Sequence, residues 1–117
     1  MAKHGVTEFL NVFQDFGVQF FDLETDLLVM LDERGNIERV NPAWARTLGY
    51  AEADMLGRGL ARFVLMDDLA KFLNAFTSVT PQPFRLLHCE HGEVRARLVA
   101  WRHQNRHSYI ILRSIRG

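Results

Sequence analysis

The chain is poor in cysteine, proline and surplus charge, and each shortage excludes something. One cysteine, Cys89, among 117 residues excludes an internal disulfide and points to a reducing compartment. Three prolines beside a 48% hydrophobic fraction exclude a disordered or collagen-like chain. Fourteen basic residues balance fourteen acidic ones, which argues against dominant attraction to nucleic acid or anionic lipid. No apolar run reaches the roughly 18 residues of a membrane span, and residues 1–15 lack the charged-then-apolar pattern of a signal peptide. The expectation is a cytoplasmic protein of one domain, with no direct nucleic-acid or membrane partner.

Catalytic signatures are missing too. There is no Gly-rich phosphate loop, no Gly-x-Ser-x-Gly and no His-Glu-x-x-His, so this domain is not expected to be an enzyme. Asp67 and Asp68 are adjacent, face different ways on a helix, and suit a helix start better than a carboxylate pair. His88-Cys89-Glu90-His91 has the atom types of a zinc or copper site. In a strand over 84–90, however, His88 and Cys89 point to opposite faces, and His103 and His107 lie about ten residues on, too far to share one ion. No metal site is expected, and Cys89 reads as a small buried hydrophobe.

What the chain has is a sharp division of charge and of hydrophobic period. Residues 1–84 hold seven basic and twelve acidic groups, whereas 85–117 hold seven arginines against Glu90 and Glu93. Two solvated faces of one domain explain this; a head-to-tail contact between subunits is the alternative. Residues 6–21 predict an amphipathic helix with Phe9, Phe13, Phe16 and Phe20 on one stripe. Residues 27–41 predict a β-hairpin turning at Glu33–Asn36. Asn41-Pro42 is a helix start, with Asn41 as cap, and Gly49 is placed to end that helix. Short helices follow at 52–56 and about 67–77, and three antiparallel strands at 84–90, 93–102 and 108–115. The class is α+β.

Residues 26–57 carry Asp32, Gly35, Asn41, Ala43, Leu48, Gly49 and Tyr50, followed by Asp54-Met55-Leu56-Gly57. In order and spacing this resembles the PAS domain, a sensory module of bacterial signalling proteins, over about residues 22–115. The resemblance implies a five-stranded antiparallel sheet of order 2-1-5-4-3, with helices over one face and any ligand held between. It divides the chain into an extra helix at 1–21 and the PAS domain at 22–117. It also implies a sensory or interaction role in signal transduction, through two-component or transcription regulation. Met1 reads as a native start, and an output module (histidine kinase, diguanylate cyclase or DNA-binding domain) is expected after residue 117. The alternative is a heme or flavin redox or gas sensor. Against heme, residues 59–77 contain no histidine; against a flavin adduct, Gly57-Arg58-Gly59-Leu60-Ala61-Arg62-Phe63 lacks the needed cysteine. No cofactor is expected, though a small ligand is compatible with the fold.

Two sets of residues follow. Phe63, Leu69, Phe72, Leu73 and Phe76 are expected to face Ala96, Leu98, Ile110 and Leu112 across the ligand cavity. Strict alternation along residues 93–102 puts Val99 and Trp101 on the other face with Tyr109 and Ile111. That outer patch and the Phe9–Phe13–Phe16–Phe20 stripe are expected to form a homodimer contact.

Overall fold

The structure, a computed structural model, describes residues 25–115; the helix expected over 6–21 lies outside the described residues. The elements are β1 (Leu27–Leu31), β2 (Ile37–Val40), α1 (Ala43–Leu48), α2 (Glu52–Met55), 3-10 turns at Leu60–Phe63 and Met66–Asp68, α3 (Leu69–Ala75), β3 (Phe84–Leu87), β4 (Glu93–Gln104) and β5 (His107–Ser114). All strand pairs are antiparallel, and the sheet order is β2-β1-β5-β4-β3. This is the expected topology.

Local chemistry sets the turns. Asp32 Oδ1 accepts the amides of Arg34 and Asn36, and Gly35 takes φ 84° to close the β1–β2 hairpin. Asn105 and Arg106 both have positive φ, 54° and 67°, as a two-residue hairpin turn between β4 and β5 requires. Asn41 departs from its expected role. Its side chain is engaged with β1 and the residue before it; Oδ1 accepts the amide of Leu28 and Nδ2 donates to the carbonyl of Asp26. Trp44 Nε1 then donates to the carbonyl of Leu28. The start of α1 is thereby fastened to β1, a central strand, by buried polar groups that would otherwise lose their partners.

The main core lies between the sheet and the described helices. It gathers Leu27 and Val29 from β1, Trp44 and Leu48 from α1, Met55, Phe63 and Phe72 from later turns and helices, and Ile110 and Leu112 from β5. A second cluster, Leu28, Met30, Tyr109 and Ile111 with Val99 and Ala100 against it, lies on the opposite sheet face.

The largest departure from strict alternation is in β4. Leu98 pairs with Leu112, but Ala100 pairs with Ile111 and Trp101 with Ile110, so the register slips by one residue between Leu98 and Ala100. A β-bulge adds one residue to one strand and reverses the facing of all that follows. Trp101 therefore belongs to the helix-covered side rather than the outer face. Its indole Nε1 donates to the carbonyl of Phe76, and its ring meets Phe76 edge-on at 5.7 Å. Leu73, expected to face the cavity, is 56% exposed, because α3 turns Leu69, Phe72, Ala75 and Phe76 inward instead.

Phe72→Ala is expected to cost about 3–5 kcal/mol in urea unfolding, as emptying a buried phenylalanine site does. Leu73→Ala, on the neighbouring exposed position, should stay within about 0.5 kcal/mol of the parent.

Candidate functional site

Eight of the nine residues expected around a ligand cavity lie in or against the main core. Phe63, Phe72, Ala96, Ile110 and Leu112 are buried there, with Leu69, Phe76 and Leu98 half-buried against them; Leu73 is turned to solvent. Rings occupy much of this space. Phe84, Phe72, Phe76 and Trp101 form a chain of edge-to-face contacts at 5.1, 5.3 and 5.7 Å running from β3 across α3 to β4. Phe84 sits directly opposite Ala96 in the β3–β4 ladder, where the small side chain leaves room for the ring stack. Phe84 was absent from the expected set. Its signal was legible in the alternation of 84–87, since Leu86, two residues on, shares its face.

Of the residues assigned to the outer face, Tyr109 and Ile111 are buried and Val99 half-buried there, whereas Trp101 is on the other side. Phe9, Phe13, Phe16 and Phe20 lie outside the described residues.

Two ion pairs bracket the sheet. At the edge, Arg85 grips the Asp68 carboxylate through Nε at 2.7 Å and Nη2 at 2.9 Å, and the Arg85 amide donates to the same carboxylate at 2.9 Å. Asp68 does not cap α3 with its side chain; it ties the start of that helix to strand β3. At the centre, Arg113 near the end of β5 holds Asp26, just before β1, through Nε and Nη2 at 2.9 Å each. Hydrogen bonding to Asp26 holds the Arg113 guanidinium above its ordinary value, so it is charged throughout.

The histidine-rich segment is a loop and not a strand, because β3 ends at Leu87. Cys89 is exposed there rather than buried, and its amide donates to the carbonyl of Leu48 at the end of α1. The rings of His88 and His91 stand 6.5 Å apart, and His88 Nδ1 accepts the amide of Glu90. Among the described residues, no three His, Cys, Asp or Glu side chains converge as metal ligands. His107 Nδ1 lies 2.9 Å from Glu38 Oε1 without the alignment of a hydrogen bond.

A surface cleft of about 400 Å³ opens beside this loop, lined by Tyr50, Asp54, Arg58, Arg62, Phe63 and Cys89. Tyr50 donates its hydroxyl to the carbonyl of Leu87, and its ring meets Phe63 edge-on at 4.9 Å. Burial, and secondarily the nearby Cys89, keep the Tyr50 hydroxyl above its ordinary pKa and hence protonated.

Curled sheet, helices on one face and strand order 2-1-5-4-3 together define a sensory-domain architecture. Residues 25–115 match the PAS domain family, and the chain belongs to it. Solved structures agree in fold. The PAS domain of an HTR-like protein from Haloarcula marismortui superposes with a TM-score of 0.60 at 21% identity, covering 96% of this chain and 99% of that one. The chromophore-binding domain of phytochrome P1 from Stigmatella aurantiaca gives 0.66 at 13% identity, over 80% of this chain and 32% of that one. Drosophila melanogaster Cycle PAS-B, with bound ethylene glycol, gives 0.55 at 14%, over 76% and 97%. The chain thus spans about a third of the phytochrome fragment's length. No curated protein matches it. Among the described residues, no helix is long and apolar enough to cross a membrane.

The Asp68–Arg85 pair generates a pH prediction. Hydrogen bonds from the Arg85 guanidinium hold the Asp68 carboxyl at about 2, against 3.8 for a free side chain. The folded state therefore binds the proton less readily, and this stabilisation is complete above about pH 4 and lost as pH falls through about 2. Asp68→Asn should lower stability at pH 6 and flatten the acid limb of an unfolding series followed by circular dichroism.

Proposed function

We propose that this PAS domain is a sensory or interaction module of a cytoplasmic signal-transduction protein. It forms a homodimer through residues 6–21 and the outer sheet face, and it regulates an output module. A histidine kinase, a diguanylate cyclase and a DNA-binding regulator all fit that role.

The observation carrying this reading is the outer cluster. Leu28, Met30, Tyr109 and Ile111 form an apolar cluster on the sheet face opposite every described helix, already buried within the single chain, so a partner would extend that cover rather than create it. A fully buried phenylalanine contributes about 1.5–3 kcal/mol, so a stripe of four phenylalanines is strongly driven to such a surface. Among the described residues, none of the helices supplies that cover. The interior supports a docking role over a large cofactor, because the ring chain from Phe84 to Trp101 takes up space between α3 and the sheet.

A second reading is a small ligand held between α3 and the sheet; the Cycle domain, of the same fold, was solved with bound ethylene glycol. Heme and flavin are disfavoured by the missing histidine at 59–77 and the missing adduct cysteine. Native mass spectrometry and a visible absorption spectrum separate the two readings: a colourless protein of apo mass supports docking.

Deleting residues 1–21 should convert a dimer into a monomer that aggregates through the exposed patch. Multi-angle light scattering at about 100 µM reads this directly, and an intact chain that is monomeric there overturns the dimer.

A further inference from the structure

We propose that the cleft beside Cys89 is a binding site on the outside of the helix layer, sharing only Phe63 with the interior set, for a small carboxylate carried on an aromatic or similarly planar body. Its walls come from the α1–α2 connection, the end of α2, the first 3-10 turn and the β3–β4 loop, which contribute Tyr50, Asp54 and Arg58, Arg62 and Phe63, and Cys89.

The walls are fixed before any ligand arrives. Tyr50 is held to the Leu87 carbonyl at 2.8 Å, and the Cys89 amide to the Leu48 carbonyl at 2.8 Å. Cys89 Sγ packs so closely on Gly49 that a Cβ there would come within 2.5 Å of it, and Gly49 has the positive φ, 84°, that suits glycine. Preorganised walls reduce the ordering cost of binding.

The charges are aimed at an anion. Arg58 Nε donates to the carbonyl of Asp54 at 2.9 Å, which steadies the guanidinium and leaves its two terminal nitrogens for a ligand. The Arg62 guanidinium has no ion-pair partner among the described residues. Two guanidinium groups face one carboxylate, Asp54, so the lining carries a net positive charge. Planar guanidinium forks match a carboxylate in two parallel hydrogen bonds. The Tyr50 and Phe63 rings, packed edge to face, give the rest of the ligand an aromatic wall. A volume of about 400 Å³ falls within the range of small-molecule sites, roughly 300–1,000 Å³.

The cleft contains its own reporter, because Cys89 is the sole cysteine and is exposed in the wall. The experiment is the rate of Cys89 alkylation by neutral iodoacetamide in the intact chain, with benzoate, benzamide and acetate as probes. Benzoate up to about 10 mM should slow alkylation saturably by several fold, while benzamide (no charge) and acetate (no ring) protect far less. Arg62→Gln should weaken benzoate protection about tenfold, as the loss of a charge-assisted hydrogen bond does, with melting temperature unchanged. Arg58→Gln should act alike. No protection by benzoate, equal protection by benzamide, or undiminished protection in Arg62→Gln each overturns the site.

Discussion

The two central strands are apolar on both faces, and most of the structure follows from that. Along β1, Leu27, Leu28 and Val29 are all fully buried, and along β5 so are Ile111 and Leu112. In an antiparallel sheet with one wet face, polar residues would alternate with these. Instead β1 contributes Leu27 and Val29 to the helix-covered core and Leu28 and Met30 to the cluster behind it. Helices are needed on one side and some other cover on the second. The described helices all serve the first, and the second is nonetheless buried, so the outer face is packed rather than solvated.

The bulge in β4 decides how far that outer surface extends. Without it, Trp101 would lie behind the sheet and lengthen the apolar patch toward the β4–β5 hairpin. The slip between Leu98 and Ala100 moves the indole to the front, where Phe76 takes both its ring and its N–H. Behind the sheet the vacated place goes to Ala100, with Val99 beside it. One inserted residue thus does two things: it closes the open end of the α3 packing and narrows the outer patch to β1, β5 and the middle of β4.

Legibility in the sequence follows the same physics. Elements fixed by local pattern were readable: the Asp32–Asn36 turn, the Gly49 helix end, the period-two strands and the strand order implied by the family resemblance. Features that depend on a partner distant in sequence were not. Alternation along 93–102 carries no sign of a bulge, because Val99, Ala100 and Trp101 suit either face. Asp68 reads as a helix-start anion until Arg85, 17 residues on, is seen to hold it. Asn41 reads as a cap, yet Leu28 and Asp26 claim both ends of its amide. Leu73 fits the apolar pattern of its helix, but a helix of seven residues against a curled sheet has room to bury only one stripe. The cleft at Arg58 and Arg62 was invisible for the same reason: its far wall is a loop beginning some 25 residues later.

The central ion pair then bears on how this sheet can communicate. β1 and β5 are antiparallel neighbours, with Leu27 opposite Leu112, so the chain entering β1 and the chain leaving β5 lie side by side at one end of the sheet. Asp26 and Arg113 join them there, with the carboxylate side chain only 3% exposed. Asp26 is also the residue whose carbonyl receives Asn41, whose own side chain pins β1 beneath α1. One residue therefore touches the helix layer through its backbone and the exit strand through its side chain. Removing Arg113 would leave the buried Asp26 carboxylate without its guanidinium, whereas Arg113, a third exposed, keeps water as an alternative partner. A change in how the outer face is covered must act on a sheet whose first and last strands are locked at this point.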